Sequence, residues 1–155
     1  MTEYEGRLTA VGRIAVAVSR YHERVTSRLL EGAMVACLEA GIADADVDVL
    51  WVTGAFELGT VVSAAAHSGR YAAIVALGVV IRGETPHFDY VAGETSASLA
   101  RAATEALVPV GFGLLTCDTM EQAEARAGGA SGNKGREATE AAIRTADLIR
   151  QALEE

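Results

Sequence analysis

Four short, nearly continuous apolar runs alternate along the chain with longer segments in which apolar residues recur every three or four positions. The runs predict β-strands buried on both faces, at residues 13–19, 47–52, 72–81 and 108–116. The longer segments predict helices at about residues 25–40, 56–68, 87–107, 120–127 and 136–153. This alternation predicts an α/β fold, a three-layer sandwich in which helices cover both faces of a four-stranded parallel sheet.

Two segments fall outside this pattern. Residues 1–12 predict an extended arm at the start of one domain spanning residues 1–155, and such an arm could pair with the sheet edge of a neighbouring subunit. The sequence AGGASGNKG at residues 127–135 joins the last two predicted helices and is typical of a flexible connector.

Composition narrows the function classes. The net charge is −8 and the basic residues are scattered, which argues against a nucleic-acid partner. No apolar run approaches the roughly 20 residues that span a membrane, and the N-terminus does not resemble a signal peptide. Cys37 and Cys117 lie far apart on apolar segments and are predicted to be separate buried thiols, and no metal-ligand spacing is present. We therefore expect a protein of the reducing cytoplasm, with no membrane partner.

Candidate chemistry concentrates where the strands end. Ligands of parallel α/β sheets bind at the carboxyl ends of the strands. The four strand exits read SRYHE, TGAFE, RGETPHFD and TCDT, and they hold several of the few aromatic residues and two of the three histidines. We expect these exits to form one ligand site.

The third exit is the most informative. Gly83 allows close backbone approach, the Thr85 hydroxyl can cap a helix, and Pro86 suits a first helical position. The amides of this turn would then form an anion site at a helix N-terminus. His87 beside such a site suits proton transfer, although a histidine at a helix start can also simply face solvent. Asp89 either complements the helix dipole or orients a neighbour.

Other exit residues support two interpretations each. Glu57 could complement a helix dipole or accept hydrogen bonds from ligand hydroxyls, and Tyr21 could stack on a flat ligand or cover the sheet edge. Taken alone, Arg126 and Lys134 are typical of solvated surface charges.

Four motifs together carry a family resemblance. They are GVVIRGETPHFDYV at residues 78–91, GAFE at 54–57, RAG at 126–128 and GNKG at 132–135. In this order, over about residues 6–153, the chain resembles the lumazine synthase family. The resemblance implies a flavodoxin-like fold and a transferase of riboflavin biosynthesis. That enzyme condenses 5-amino-6-(D-ribitylamino)uracil with 3,4-dihydroxy-2-butanone 4-phosphate to 6,7-dimethyl-8-ribityllumazine, phosphate and water, without a metal or organic cofactor.

The resemblance also implies residue roles. His87 would be the catalytic acid and base. Tyr21 would stack on the pyrimidine, and Arg126 would bind phosphate with the amides around Glu84. The implied substrate-binding set is Tyr21, Ala55, Phe56, Glu57, Val80, Ile81, Gly83, Glu84, Thr85, Phe112, Arg126 and Lys134. Within it, Ala55, Phe56 and Glu57 would line the ribityl pocket, Val80 and Ile81 would offer backbone groups, and Phe112, Arg126 and Lys134 would come from the adjacent subunit.

A site shared between subunits implies an oligomer. The family forms homopentamers, and in some members pentamers close into a sixty-subunit icosahedral capsid. The short connector between the last two helices resembles shell-forming members and favours the shell.

Five positions depart from the family pattern. Tyr21 stands where Phe or Trp is usual, and His22 replaces a usual Asn. Thr53 and Gly59 replace prolines that stiffen the loop around GAFE. Glu84 places a negative charge beside the expected phosphate site.

Three alternatives remain beside the active enzyme. They are a homologue that acts only as a structural protein cage, a flavodoxin-like binding module without chemistry, and a riboflavin synthase of similar fold. The presence of His87, Arg126 and Lys134 together favours the active enzyme.

Overall fold

The computed structural model describes residues 1–154 as alternating strands and helices. In chain order these are β1 (Ile14–Ser19), α1 (Glu23–Glu39), β2 (Val47–Val52), α2 (Leu58–His67), β3 (Ala73–Ile81), α3 (His87–Ala106), β4 (Val110–Cys117), α4 (Met120–Ala125), β5 (Ala127–Gly129), β6 (Gly132–Asn133) and α5 (Lys134–Leu153). Single 3-10 turns, Asp44–Asp46 and Ala55–Glu57, precede β2 and α2. Across residues 1–154, no helix combines the length and apolar character needed to cross a membrane.

The four predicted strands form one parallel sheet in the order β2-β1-β3-β4. The side chains of β1 and most of β3 are fully buried, because these two strands lie at the centre of the sheet with helices on both faces. This confirms the predicted flavodoxin-like α/β architecture. It also explains the continuous apolar runs, since a strand covered on both sides needs no polar alternation.

Helices cover the two faces of the sheet in different pairs. One core layer packs β1 and β3 side chains such as Val16 and Leu77 against α1 and α5, and the other packs Ala17 and Ala76 against α2 and α3. Gly59 lies where α2 meets α3, and a Cβ at this position would overlap the Ser98 hydroxyl. The glycine that replaces a usual proline therefore permits close packing of these two helices.

The predicted start of β4 at residue 108 is wrong. Leu107 adopts a left-handed conformation (φ 55°) at the end of α3, and the Val108 N–H donates to the Ala103 carbonyl (3.3 Å). Residues 107 and 108 thus terminate α3, and Pro109 has no N–H for a strand ladder. The strand begins at Val110 and reaches Cys117.

Two predicted helix starts also differ from the structure. The second helix was predicted to begin at Phe56, but a 3-10 turn precedes it and α2 begins at Leu58. The last helix begins at Lys134 rather than 136, because the Asn133 side chain accepts a hydrogen bond from the Arg136 N–H (3.1 Å).

The glycine-rich connector is ordered, contrary to the predicted flexible segment. Its residues form the small antiparallel hairpin β5–β6, in which Gly128 and Gly132 take positive φ values of 95° and 81°. Gly135 then packs so closely on α1 that a Cβ would overlap the Leu29 carbonyl. The glycines therefore allow one specific backbone conformation and close packing, and they do not make the segment flexible.

The N-terminal arm contains no helix or strand, as predicted, and part of it lies on α5 of its own chain. The Arg7 N–H and Nε both donate to the Asp147 carboxylate, at 2.8 and 3.2 Å. The Gly6 carbonyl accepts from Arg144 Nη1 at 3.2 Å. The Asp147 side chain is fully buried, and its hydrogen bonds with Arg7 hold its pKa well below the usual range. Pairing of the arm with a neighbouring subunit stays a prediction.

Candidate active site

The exits of β1 and β2 meet at the carboxyl edge of the sheet. The Tyr21 N–H donates to the Thr53 carbonyl (3.0 Å), which continues the pairing of the two strands beyond their ends. The Tyr21 ring lies over Gly54, where a Cβ would come within 3.0 Å of the ring. Gly54 therefore lets the aromatic ring lie flat against the second exit.

An open cavity of about 570 Å³ lies between these exits and the start of α3. We call it the exit cavity, and its lining is Tyr21, Gly54, Ala55, Phe56, Glu57, His87, Tyr90, Val91 and Glu94. The structure thus brings together five of the residues expected from the sequence. Tyr90, Val91 and Glu94 were not anticipated, although they follow His87 at positions i+3, i+4 and i+7, which share one helix face.

Aromatic rings dominate the exit cavity. Tyr21, Phe56 and Tyr90 are 65%, 59% and 70% exposed. Exposed rings gathered in one concave site are suited to stacking on a flat heteroaromatic ligand.

Glu57 provides a fixed carboxylate at the second exit. Its Oε1 accepts a hydrogen bond from the Gly54 N–H (3.1 Å) across the 3-10 turn. A carboxylate offers about four acceptor positions, so this bond leaves capacity for ligand hydroxyls.

The turn at the third exit is open to solvent. Residues 83–87 are all exposed, and a Cβ at Gly83 would meet nothing within 4 Å. The Thr85 hydroxyl accepts from the His87 N–H at 3.4 Å, so the predicted interaction is present but long. Helix α3 begins at His87, as predicted, and Pro86 is its N-cap rather than its first helical residue. The turn nevertheless lies at a helix N-terminus, the position that favours anions.

β3 extends beyond its neighbour β1. The last β1–β3 pair is Val18 with Leu77, whereas pairing with β4 continues to Ile81 and Cys117. Within the described chain, the edge of β3 that carries Val80 and Ile81 therefore has no strand partner on the β1 side, and its backbone is available to a ligand.

A second cavity, of about 360 Å³, lies along the free edge of β4. We call it the edge cavity, and its lining is Phe112, Leu114, Leu115, Thr116, Cys117, Arg126 and Lys134. Phe112 is 54% exposed on this edge strand. The Arg126 guanidinium donates to the Gln122 carbonyl (2.9 Å), and Lys134 Nζ lies 3.3 Å from the Glu137 carboxylate. The three residues expected from an adjacent subunit thus share a cavity that contains no residue of the exit cavity.

The two cysteines are buried free thiols, as predicted. Burial raises the pKa of Cys37 to about 11. Burial also raises the pKa of Cys117, although the nearby Arg126 guanidinium opposes the shift. Both thiols therefore stay protonated near neutral pH and are poor nucleophiles.

His22 has a backbone role at the first exit. It adopts a left-handed conformation (φ 59°, ψ 43°) at the N-terminus of α1. Asn enters this region most readily among non-glycine residues, with His and Asp also enriched there. His22 does not line the exit cavity, so the departure from Asn is explained by the turn rather than by a ligand contact.

No cluster of three or more His, Cys, Asp or Glu side chains within residues 1–154 is arranged to bind a metal ion.

Comparisons with known proteins identify the family of the chain. The sequence model of the 6,7-dimethyl-8-ribityllumazine synthase family matches residues 12–150. A protein named 6,7-dimethyl-8-ribityllumazine synthase from Gemmatimonas aurantiaca is 53% identical over 154 residues, covering 99% of this chain and 94% of the relative. A protein of the same name from Anaeromyxobacter sp. is 48% identical over 153 residues, covering 98% and 94%. The chain therefore belongs to the 6,7-dimethyl-8-ribityllumazine synthase family.

Proposed function

We propose that this chain condenses 5-amino-6-(D-ribitylamino)uracil with 3,4-dihydroxy-2-butanone 4-phosphate to give 6,7-dimethyl-8-ribityllumazine. The observation that carries the proposal is the exit cavity, in which aromatic rings, a carboxylate and a histidine at a helix N-terminus meet in a chain of this family. Phosphate is released, and water is lost at imine formation and again at ring closure.

The exit cavity fits the ribitylaminouracil. Tyr21 would stack on the pyrimidine ring, and the free edge of β3 at Val80 and Ile81 would offer backbone hydrogen bonds to its polar rim. The ribityl chain would lie along Ala55 and Phe56, and its hydroxyls would donate to the Glu57 carboxylate.

His87 would carry the protons of the reaction. Its side chain lines the exit cavity beside the turn formed by Gly83, Glu84 and Thr85, whose amides would bind the phosphate group. Imine formation, phosphate elimination and ring closure each move a proton at a reacting carbon, nitrogen or oxygen atom. A histidine in contact with both substrates could serve each step.

A second copy of the chain would complete the site. Phe112, Arg126 and Lys134 lie together on the unpaired edge of β4, where an adjacent subunit could receive them into its own exit cavity. Arg126 would then bind the phosphate and Phe112 would cover the heterocycle. This arrangement supports a homo-oligomer. We propose that the oligomer is a homopentamer of the cytoplasm and that pentamers close into an icosahedral shell.

A cage without activity is not favoured. His87, Arg126 and Lys134 are all present, and the two curated relatives carry the name of the enzyme.

The direct test combines purified protein with both substrates and follows the lumazine absorbance together with released phosphate. We expect equal amounts of both products, and neither product when either substrate is omitted. A folded, oligomeric protein that forms no lumazine would overturn the proposal.

A further inference from the structure

Arg82 links three elements at the carboxyl edge of the sheet. It directly follows β3, and its backbone N–H donates to the Cys117 carbonyl (2.9 Å) at the end of β4. Its Nε donates to Asp118 Oδ1 at 2.9 Å, and its Nη1 lies 3.4 Å from Asp89 Oδ1 in the first turn of α3. The guanidinium carbon lies 4.4 Å from the centroid of the Phe88 ring. The side chain thus joins the exits of β3 and β4 to the start of α3.

The elements that Arg82 joins flank the turn at residues 83–86, which precedes His87. Residues 83–86 connect β3 to α3, and His87 is followed directly by Phe88 and Asp89. The turn has few contacts of its own, because it is exposed and the Thr85–His87 hydrogen bond is long. Arg82 therefore fastens the two ends of a turn that is otherwise weakly held.

The positive charge of Arg82 is balanced by neighbouring carboxylates. Two carboxylates, Asp89 and Asp118, contact the one guanidinium, so the cluster carries a net negative charge. Such a cluster is a poor site for a phosphate group. Its geometry is suited to orientation, since a guanidinium is planar and its donors point in fixed directions.

We propose that Arg82 is a positioning residue that holds His87 and the amides of residues 83–85 in their reactive geometry, through Phe88, Asp89 and Asp118. The expected effect on kcat rests on the proposed function, whereas the ordering of the turn by Arg82 does not depend on it. Arg82, Asp89 and Asp118 are 49%, 64% and 67% exposed, so their ion pairs add little to stability. Turnover is more sensitive, because a misplacement of about 1 Å in a catalytic group can lower a rate by about 100-fold.

The kinetic test compares Arg82→Ala and Arg82→Lys with Arg70→Ala. Arg70 is a matched control, because it also stacks on an aromatic ring (Tyr71) and pairs with an aspartate (Asp48), near the amino ends of β2 and β3. We expect both Arg82 variants to lower kcat by about tenfold or more without a matching rise in the KM of either substrate. Arg70→Ala should keep the parent kcat. Full rescue by lysine, or a change confined to the KM of the phosphate substrate, would show that Arg82 acts only through its charge and would overturn the proposal.

Double-mutant cycles test whether Arg82 acts through its ion pairs with Asp89 and Asp118. Asp118→Asn and Asp89→Asn should each lower kcat, and neither should add its full effect when combined with Arg82→Ala. Fully additive effects would contradict a shared positioning role.

Amide hydrogen exchange provides a readout that does not require activity. Residues 83–89 should exchange faster in Arg82→Ala than in the parent, with no change in Arg70→Ala. If the parent makes no product, the proposed function fails while this comparison still decides whether Arg82 orders the turn. Unchanged exchange at residues 83–89 would overturn the positioning role.

Discussion

His87 and Arg126 line different cavities of the same chain. His87 lies in the exit cavity at the start of α3, whereas Arg126 lies in the edge cavity beside the free edge of β4. A histidine that moves protons and an arginine that binds the phosphate must act on the same substrate molecule. Under the proposed roles, His87 and Arg126 of one chain would therefore serve two different sites, each completed by a neighbouring copy.

His87→Ala should lower kcat by about 100-fold, because a positioned acid and base typically contributes that much to a rate. The side chain is exposed, so we expect the variant to keep its fold and its assembly, measured by sedimentation. His67→Ala, at the exposed end of α2, is the matched control and should keep full activity. Unchanged turnover in His87→Ala would remove histidine as the main proton carrier.

Arg126→Ser should raise the KM of the phosphate substrate by about tenfold or more, since it removes a charged hydrogen-bond donor. The KM of the pyrimidine substrate should change far less. Steady-state kinetics with each substrate varied in turn measure the two values, and Arg28→Ser on the exposed face of α1 serves as control. Equal effects on both substrates would argue against a phosphate role for Arg126.

Glu84→Gln should strengthen binding of the phosphate substrate. Glu84 is exposed within the turn whose amides would bind the anion, and its carboxylate repels a phosphate. We expect the KM of this substrate to fall several-fold, with the largest change at low ionic strength where screening is weak. Glu105→Gln, an exposed glutamate at the other end of α3, should change nothing. A KM that is the same in both variants and the parent would show that the Glu84 side chain points away.

Asp147→Asn should release the N-terminal arm. Because the Asp147 pKa is lowered by Arg7, the carboxylate contributes its full stabilisation above its ordinary pKa of 3.8 and loses it as the pH falls towards the lower folded value. The variant should therefore be less stable than the parent at pH 7 in urea unfolding, and the difference should shrink below about pH 4.

Limited trypsin cleavage after Arg7 provides a second measurement of arm release. Cleavage should be faster in Asp147→Asn and unchanged in Thr145→Ala, an exposed position on the same helix. Equal cleavage in the parent and Asp147→Asn would mean that Asp147 does not hold the arm.

The four strands were predicted correctly from the sequence because β1 and β3 are buried on both faces of the sheet. Such strands consist almost entirely of apolar residues, which form a continuous run that is easy to recognise. Sequence patterns also predicted that Tyr21, Glu57 and His87 would lie together, since the carboxyl ends of parallel strands meet at one edge. Tyr90 and Glu94 were missed because the strand exits alone were considered, and helical spacing from His87 would have found them.

Other features depend on contacts that no local pattern contains. Arg7 and Asp147 are separated by 140 positions in sequence, so their pairing appears only in the folded chain. The flexible connector was predicted from glycine content, but Gly128 and Gly132 serve a hairpin that needs positive φ. A high glycine content indicates that the backbone can adopt many conformations. It does not show whether tertiary packing selects one of them.

The most direct test of a site shared between copies is subunit mixing. His87→Ala and Arg126→Ser chains with different tags are co-expressed, and assemblies that carry both tags are purified. Each variant alone lacks one half of every site, whereas a mixed ring restores intact sites wherever an Arg126→Ser chain receives its neighbour's Arg126. At equal mixing, about a quarter of the sites in a cyclic oligomer should be intact. With the phosphate substrate held well below its KM, where loss of Arg126 lowers the rate, activity should approach that fraction of the parent. A mixture no more active than the average of the two separate variants would contradict a site built from His87 of one copy and Arg126 of the next.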